Sequence, residues 1–472
     1  MAEILLAIET SRSRAPQLNN EHLLNWMTER QPAEAKGQAP LFGCAGLTFF
    51  SSTGQPGSPS RGSLLFQTSA LFVQGDQLFE VRADGNAFVL GEGIAGTGPV
   101  GMASNGLQAI IVNGNKGWTF DFVNGFEQIT SPAFSPAATV TYMDGYFLFD
   151  HLNTNQWFIS ALFDGRTYSG LDFASAEGAP GNVIAVQQNL QLVFIFCTDH
   201  IEIWYDSGAA SFPFARYTGG IINYGTISPF SIVKTDGALF FLGVDHVFYR
   251  LQANVPIRIS THPIERFIAA EPDIALAECF TLTIEGHKLI FLTLPHQAVT
   301  LCYDISTGRW HERDSVDANF ISLGRYRVRN ALDAYDTTLV GDAFDGRIGQ
   351  VDWDFFKEYS LPMRGLIDTV TQHADRNYLF CHRFELDIEA GVGLTTGDGS
   401  DPKIMLRRTT DGGKTFSAQQ PWRSMGKQGE FAKRLRWLRQ GRGRQMGWRL
   451  EITDPVRRAI IAAHADIEPG FS

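Results

Sequence analysis

The residues Thr409-Thr410-Asp411-Gly412-Gly413-Lys414-Thr415-Phe416 fit the Asp-box pattern S/T-x-D-x-G-x-T-aromatic. In other proteins that motif accompanies glycan hydrolysis, so this is the first chemistry to weigh. Its physical work is to tie off a hairpin. Asp411 accepts bonds from turn N–H groups, Gly413 takes the positive φ and Phe416 packs beneath, in a structural turn that includes Thr409 and Thr415. The pattern occurs once, with no matched arginine cluster or carboxylate pair at readable spacing, so a structural turn is the expectation. Asp398-Gly399-Ser400-Asp401 resembles part of a calcium loop, but lacks the glutamate that closes a twelve-residue loop. The eleven histidines are dispersed, and His246, His287 and His296 fall in strand-turn contexts. No H-E-x-x-H, G-x-x-x-x-G-K-[S/T] or G-x-S-x-G motif occurs. The expectation is no enzyme, no cofactor and no metal.

The strongest local signal is a basic run of Lys427, Lys433, Arg434, Arg436, Arg439, Arg442, Arg444 and Arg449. Arg434-Leu435-Arg436-Trp437 and Trp448-Arg449-Leu450-Glu451-Ile452 alternate charged and apolar residues, as half-buried antiparallel strands do. Gly441-Arg442-Gly443-Arg444 between them reads as a hairpin, with most of the charge on one face. Such a face can dock an acidic protein neighbour. It can also hold phosphates with Trp437 and Trp448 stacking on bases, or simply be solvated. Docking is the preferred reading, because the rest of the chain is acidic.

That asymmetry is large. Net charge is −11 over 472 residues, yet residues 401–458 hold 15 Lys+Arg against 5 Asp+Glu, leaving 24 against 45 elsewhere. An acidic body with a basic C-terminal segment points to an interaction surface at that end. Five cysteines, far apart and odd in number, argue against a disulfide framework or a cysteine zinc site and for folding in a reducing cytosol. Met1 to Pro16 carries Glu3 where a signal peptide needs a basic start, and no apolar run approaches eighteen residues. Neither a signal peptide nor a membrane anchor is expected.

The elements that must position these residues are strands. Gly at 47 and Phe at 36, with 19% charged residues, favour turns and pleated surfaces over long helices. Residues 1–62 read as an N-terminal arm, with a short helix over Asn20–Arg30 (Leu23, Leu24, Met27 on one face, Pro32 ending it) and a Ser/Gly/Pro linker over 51–62. Residues 63–352 repeat a hairpin unit with turns at Gly75-Asp76, Asn113-Gly114, Asp144-Gly145, Asn189-Leu190, Asp236-Gly237 and Glu285-Gly286, with room for another in Thr338–Val351. Units recur every 30–55 residues or so, the range of propeller blades. An all-β chain is expected: a β-propeller-like domain of six or seven blades, with a stack of β-sandwiches as the rival. Residues 353–472 read as a separate basic β-sandwich-like domain that could share strands with the N-terminus.

Two blocks resemble a known family, the packaged-DNA stabilisation or tail hub (nozzle) proteins of short-tailed bacteriophages. One is Ser11-Arg12-Ser13, Glu21, Asn25-Trp26 and Glu29, followed by Pro40-Leu41-Phe42-Gly43-Cys44-Ala45-Gly46-Leu47. The other runs through Thr410–Phe416, Ser424–Glu430 and Arg434–Trp437 to Ile452-Thr453-Asp454-Pro455-Val456. The resemblance implies a structural virion protein, made in the host cytoplasm and placed in the tail. Its implied partners are itself, as a homo-hexameric ring; the portal–adaptor connector above; a tailspike or tail fibre; a needle or tip protein; and the packaged double-stranded DNA it retains and surrounds. The chain departs from the pattern in showing no coiled-coil or needle-binding tail. A carbohydrate-binding or glycan-cleaving propeller is the alternative.

Overall fold

Asp-Gly and similar dipeptides supply consecutive positive φ angles, and two-residue hairpins follow wherever apolar strands flank them. In the computed structural model, which describes residues 2–32, 34, 39–55 and 57–470, Asp144 and Gly145 have φ 48° and 96°, Asp236 and Gly237 52° and 68°, and Glu285 and Gly286 45° and 86°. Repeating that turn builds seven four-stranded antiparallel meanders. The first five are the strand sets Ser60–Glu92, Gly101–Gln128, Val140–Ser175, Val183–Ile222 and Val233–Arg258; the sixth spans Glu278–Arg313. The seventh takes Val328–Ala334, Thr337–Asp342 and Arg347–Asp352 from its own stretch and its outer strand, Gly46–Ser52, from near the N-terminus. Leu47 there lies opposite Val351.

The seven meanders are blades of one propeller. A separate apolar core fills each gap between neighbours: Val73 and Ile111 between the first and second, Phe147 and Val112 between the second and third, and so on round. Phe72 with Leu339 and Ile348 seals the seventh blade against the first. Each such side chain contributes about 1.5–3 kcal/mol on burial, and ring closure leaves few open strand edges. The one α-helix among the described residues, His262–Ala269, buries Ile264 and Ile268 against blades five and six. Among the described residues no helix is long and apolar enough to cross a membrane, and all five cysteines are free.

The sandwich is built from both ends of the chain. One sheet runs Trp26–Thr28, Leu41–Gly43, Ala459–Pro469, Leu379–Ile388, Leu435–Gly443, with Ala2–Ile4 beside Ala459–Pro469. The other continues the sixth blade: Arg309–Arg313, Asn20–Leu24, Gly365–Asp368, Gln445–Ile452, Lys403–Thr409, Arg423–Ser424. Phe384, Trp437, Trp448 and Leu450 fill the core between them.

Two sequence expectations fail here. Asn20–Arg30 is no helix but two strands broken at Asn25, whose φ is 57° and whose buried amide donates to the carbonyls of Asp314 and Arg364 at 2.8 Å each. The apparent helical face is split: Leu23 belongs to the sandwich core, with neighbouring Trp26, and Met27 to the core between blades six and seven. Gly441–Arg444 is no hairpin either. The strands on either side of it pair in different sheets, so the chain turns a sandwich corner there.

Candidate functional site

Leu435–Gly443 is the edge strand of its sheet, paired with Leu379–Ile388 on one side only. Leu435, Trp437 and Gln440 point inward, while Arg436, Leu438, Arg439 and Arg442 are exposed. Outward residues fall at 438 and 439 together because Arg439 has φ 58°, opposite a register shift at Cys381/Arg383. Such a bulge re-aims side chains at a sheet edge. The edge is blunted by guanidinium groups. Arg423 Nε donates to the Arg436 carbonyl at 2.6 Å, and Arg408 donates to the carbonyl of Gln440.

The eight predicted basic residues do not form one surface. Arg449 lies on the other sheet in a bidentate pair with Asp368, both bonds 2.6 Å, and 3.9 Å above the Phe416 ring. Arg434 is paired with Glu385 and Lys433 with Glu430, both at 2.8 Å. Lys427 sits in the exposed loop before the strand, its backbone N–H bonded to Glu430. Arg442 and Arg444 flank the Tyr378 ring at 5.2 and 4.7 Å. Among the described residues, Arg436, Arg439, Arg442 and Arg444 have no ion-pair partner, and these carry the uncompensated charge along the edge and corner. Trp437 and Trp448 are each 1% exposed. Their Nε1 groups donate to the Pro421 carbonyl (2.8 Å) and Gln440 Oε1 (3.1 Å). Base stacking is therefore not open to them in this fold.

The Asp-box is a saturated turn. Asp411 accepts from Lys414 N and Thr415 N at 3.0 Å, from Thr415 Oγ1 at 2.6 Å and from Thr409 Oγ1 at 2.7 Å. Thr409 Oγ1 takes the Gly413 N–H at 2.9 Å, with Gly412 and Gly413 at φ 75° and 88°. Burial disfavours the carboxylate, but these hydrogen bonds outweigh it and hold its pKa down at about 2. Both carboxylate oxygens accept within the turn, and a Gly412 Cβ would already meet Gln17 at 2.8 Å. The turn buttresses the N-terminal segment.

Other features escaped sequence reading. The first strands of all seven blades surround an axial cavity of about 310 Å³, lined by Arg61, Glu278 and Arg329 among others. Arg329 binds Glu278 at 2.6 and 2.9 Å, and Arg61 donates to the carbonyls of Gly75 and Gly98 at 2.7 Å, so these charges staple blades together. That volume suits a small molecule at most, not a duplex. At the domain seam, buried His22 lies 3.0 Å from Glu312 and 3.8 Å from Asp368. No sequence pattern marks it, because the three residues lie in separate segments of the chain. No group of three or more His, Cys, Asp or Glu among the described residues is placed to hold a metal ion.

Comparison with known proteins follows the same two-part division. A family model described as bacteriophage P22 Gp10, beta-propeller, matches residues 12–355, and one described as bacteriophage P22 Gp10, beta-sandwich, matches residues 365–468. No curated protein matches. Among solved structures, the chain is similar to the N-terminal domain of Nup159 (10% identity, 69% of this chain and 97% of that one, TM-score 0.41). It is also similar to the Myceliophteria thermophila Cps50 (Swd1) beta-propeller domain (10%, 65% and 99%, TM-score 0.39) and to the computationally designed Ika8 protein (9%, 65% and 99%, TM-score 0.37).

Proposed function

The chain belongs to the bacteriophage P22 Gp10 family of phage tail structural proteins, and on that premise we propose that it forms the tail hub, or nozzle, ring below the portal–adaptor connector. The observation that carries this reading is the family match across both the propeller and the sandwich. In this role a homo-hexameric ring surrounds the DNA exit channel, helps retain packaged DNA and anchors a tailspike or fibre and a needle or tip.

Physical features support it. Seven sealed interblade cores and a sheet running unbroken from blade six into the sandwich make a stiff body, as a load-bearing ring requires. DNA passes between subunits in this scheme, since the axial cavity of each propeller is too small for it. Acidic walls keep phosphates from sticking, and the free arginines of Leu435–Gly443 dock an acidic neighbour. The test is negative-stain imaging of purified protein mixed with portal–adaptor complexes. Six-fold rings capping the connector are expected. Monomers that ignore the connector would overturn the proposal.

A further inference from the structure

In a four-stranded meander the first and third turns lie at the same end, so in every blade they share one face of the propeller. At those positions most blades carry polar tips: Gln67-Thr68 in the first, Asp236-Gly237 in the fifth, Glu285-Gly286 in the sixth and Tyr335-Asp336 in the seventh. Blades two to four differ. Their tips hold Leu107 (66% exposed), Val123 (92%), Leu162 (53%), Phe163 (58%), Leu171 (84%) and Leu190 (72%).

These tips form a continuous rim. The long loop of blade three reaches blade two through Gly165 N to Gln108 Oε1 at 2.7 Å and Arg166 to Asp121 at 2.7 Å. A groove lined by Asp144, Leu190 and Asp206 carries the rim on to blade four. Isolated exposed apolar residues are ordinary, but a contiguous set confined to three of seven equivalent turns marks a contact surface. The rim is also acidic. Residues 101–222, which make up these blades, hold 10 Asp+Glu against 3 Lys+Arg, and among the described residues Asp144, Asp172 and Asp206 at the tips have no ion-pair partner.

The complementary surface is on the same chain. The edge strand Leu435–Gly443 offers Leu438, 63% exposed, between the unpaired Arg436 and Arg439. The two surfaces cannot meet within one molecule. The sandwich is attached beside blades six and seven, and in a ring of seven blade three lies diametrically opposite that junction. Resting on the proposed ring, we infer that its subunits join head to tail: the basic, leucine-bearing edge strand of one copy seats on the acidic, apolar rim of blades two to four of the next. A heterologous contact of this kind closes into a ring when the rotation permits.

Two variants of the full chain test this, with folding checked by circular dichroism and thermal melting. L171K/L190K spoils the rim, and R436E/R439E spoils the edge. The readout is particle mass by light scattering. Wild type should assemble, each variant alone should be monomeric, and an equal mixture should give dimers and nothing larger, because only one productive contact remains per pair. Wild type that stays monomeric at every concentration overturns both the ring and this pairing. Wild type that assembles while the mixture stays monomeric, or either variant that assembles alone, overturns the pairing and leaves the ring standing.

Discussion

Asp411→Ala separates a structural Asp-box from a catalytic one. The substitution removes a carboxylate that accepts four hydrogen bonds within its own turn, two from backbone N–H groups at 3.0 Å. Its pKa is held at about 2, roughly two units below an unperturbed aspartate, which at full strength corresponds to about 2.6 kcal/mol. Lys414 and Thr415 are exposed, so water reaches the freed groups and solvent screening reduces the figure to about 1–2 kcal/mol. For a unit of about 150–250 residues each kcal/mol shifts Tm by about 2–4 °C, so a loss of about 2–8 °C in the sandwich transition is expected. The sign with pH is fixed: a depressed folded pKa stabilises above the unfolded value near 4, and that contribution fades as pH falls through about 2. The gap between wild type and mutant, followed by near-ultraviolet circular dichroism, should therefore narrow from pH 5 to pH 2. A mutant with unchanged Tm and a lost glycan-cleaving activity would refute the structural argument.

Three other outcomes are expected. Gly46→Ala places a Cβ against the carbonyl oxygens of Phe355 and Lys357, the latter at 2.5 Å, so the closing strand must shift; a loss of about 1–3 kcal/mol, with earlier proteolysis between residues 40 and 60, is the readout, and wild-type resistance would contradict it. Burial outweighs the charge of nearby Arg327 and Arg313 in pushing buried Glu358 up to about 7; because the folded pKa is raised, wild type loses up to about 3 kcal/mol as pH rises from 4.5 to 7, so the Tm advantage of Glu358→Gln should grow over that window, and a flat difference would refute it. Arg436→Glu, Arg439→Glu and Arg442→Glu together should leave a folded monomer that fails to assemble, and 1 M salt, with a Debye length of about 3 Å, should mimic them in light scattering; intact assembly with lost DNA retention in particles would instead favour phosphate contact.

Much of the propeller was legible because its information is local. Asp144-Gly145, Asp236-Gly237 and Glu285-Gly286 announce turns within two residues, and alternation in the flanking strands assigns faces. What failed depends on partners far along the chain. Leu23 and Met27 imitate a helical face until one sees that they serve two cores. The outer strand of the seventh blade pairs with residues some three hundred positions away, and no pattern in Gly46–Ser52 reveals that. For the basic segment, alternation places Arg436 and Arg442 outward, whereas Arg439 is exposed only through the bulge at its positive φ. Neutralisation was invisible: Glu385 and Asp368, which bind Arg434 and Arg449, lie 49 and 81 residues away. Trp437 and Trp448 looked equally suited to stacking or packing, and only their indole hydrogen bonds decide for packing.

The closing strand also sets a timetable for synthesis. Gly46–Ser52 leaves the ribosome before any of its partners, and Arg347–Asp352 follows about 300 residues later, roughly 15–60 s at bacterial elongation rates of about 5–20 residues per second. Leu41–Gly43 waits longer still for its second partner, Ala459–Pro469. The first blades can dock on one another meanwhile, but the ring stays open and Gly46–Ser52 lacks its partner until Arg347–Asp352 emerges, with about three quarters of the chain made. Nascent chains are thus exposed to wrong pairing during most of their synthesis, and a closed propeller can form only once about three quarters of the polypeptide is made.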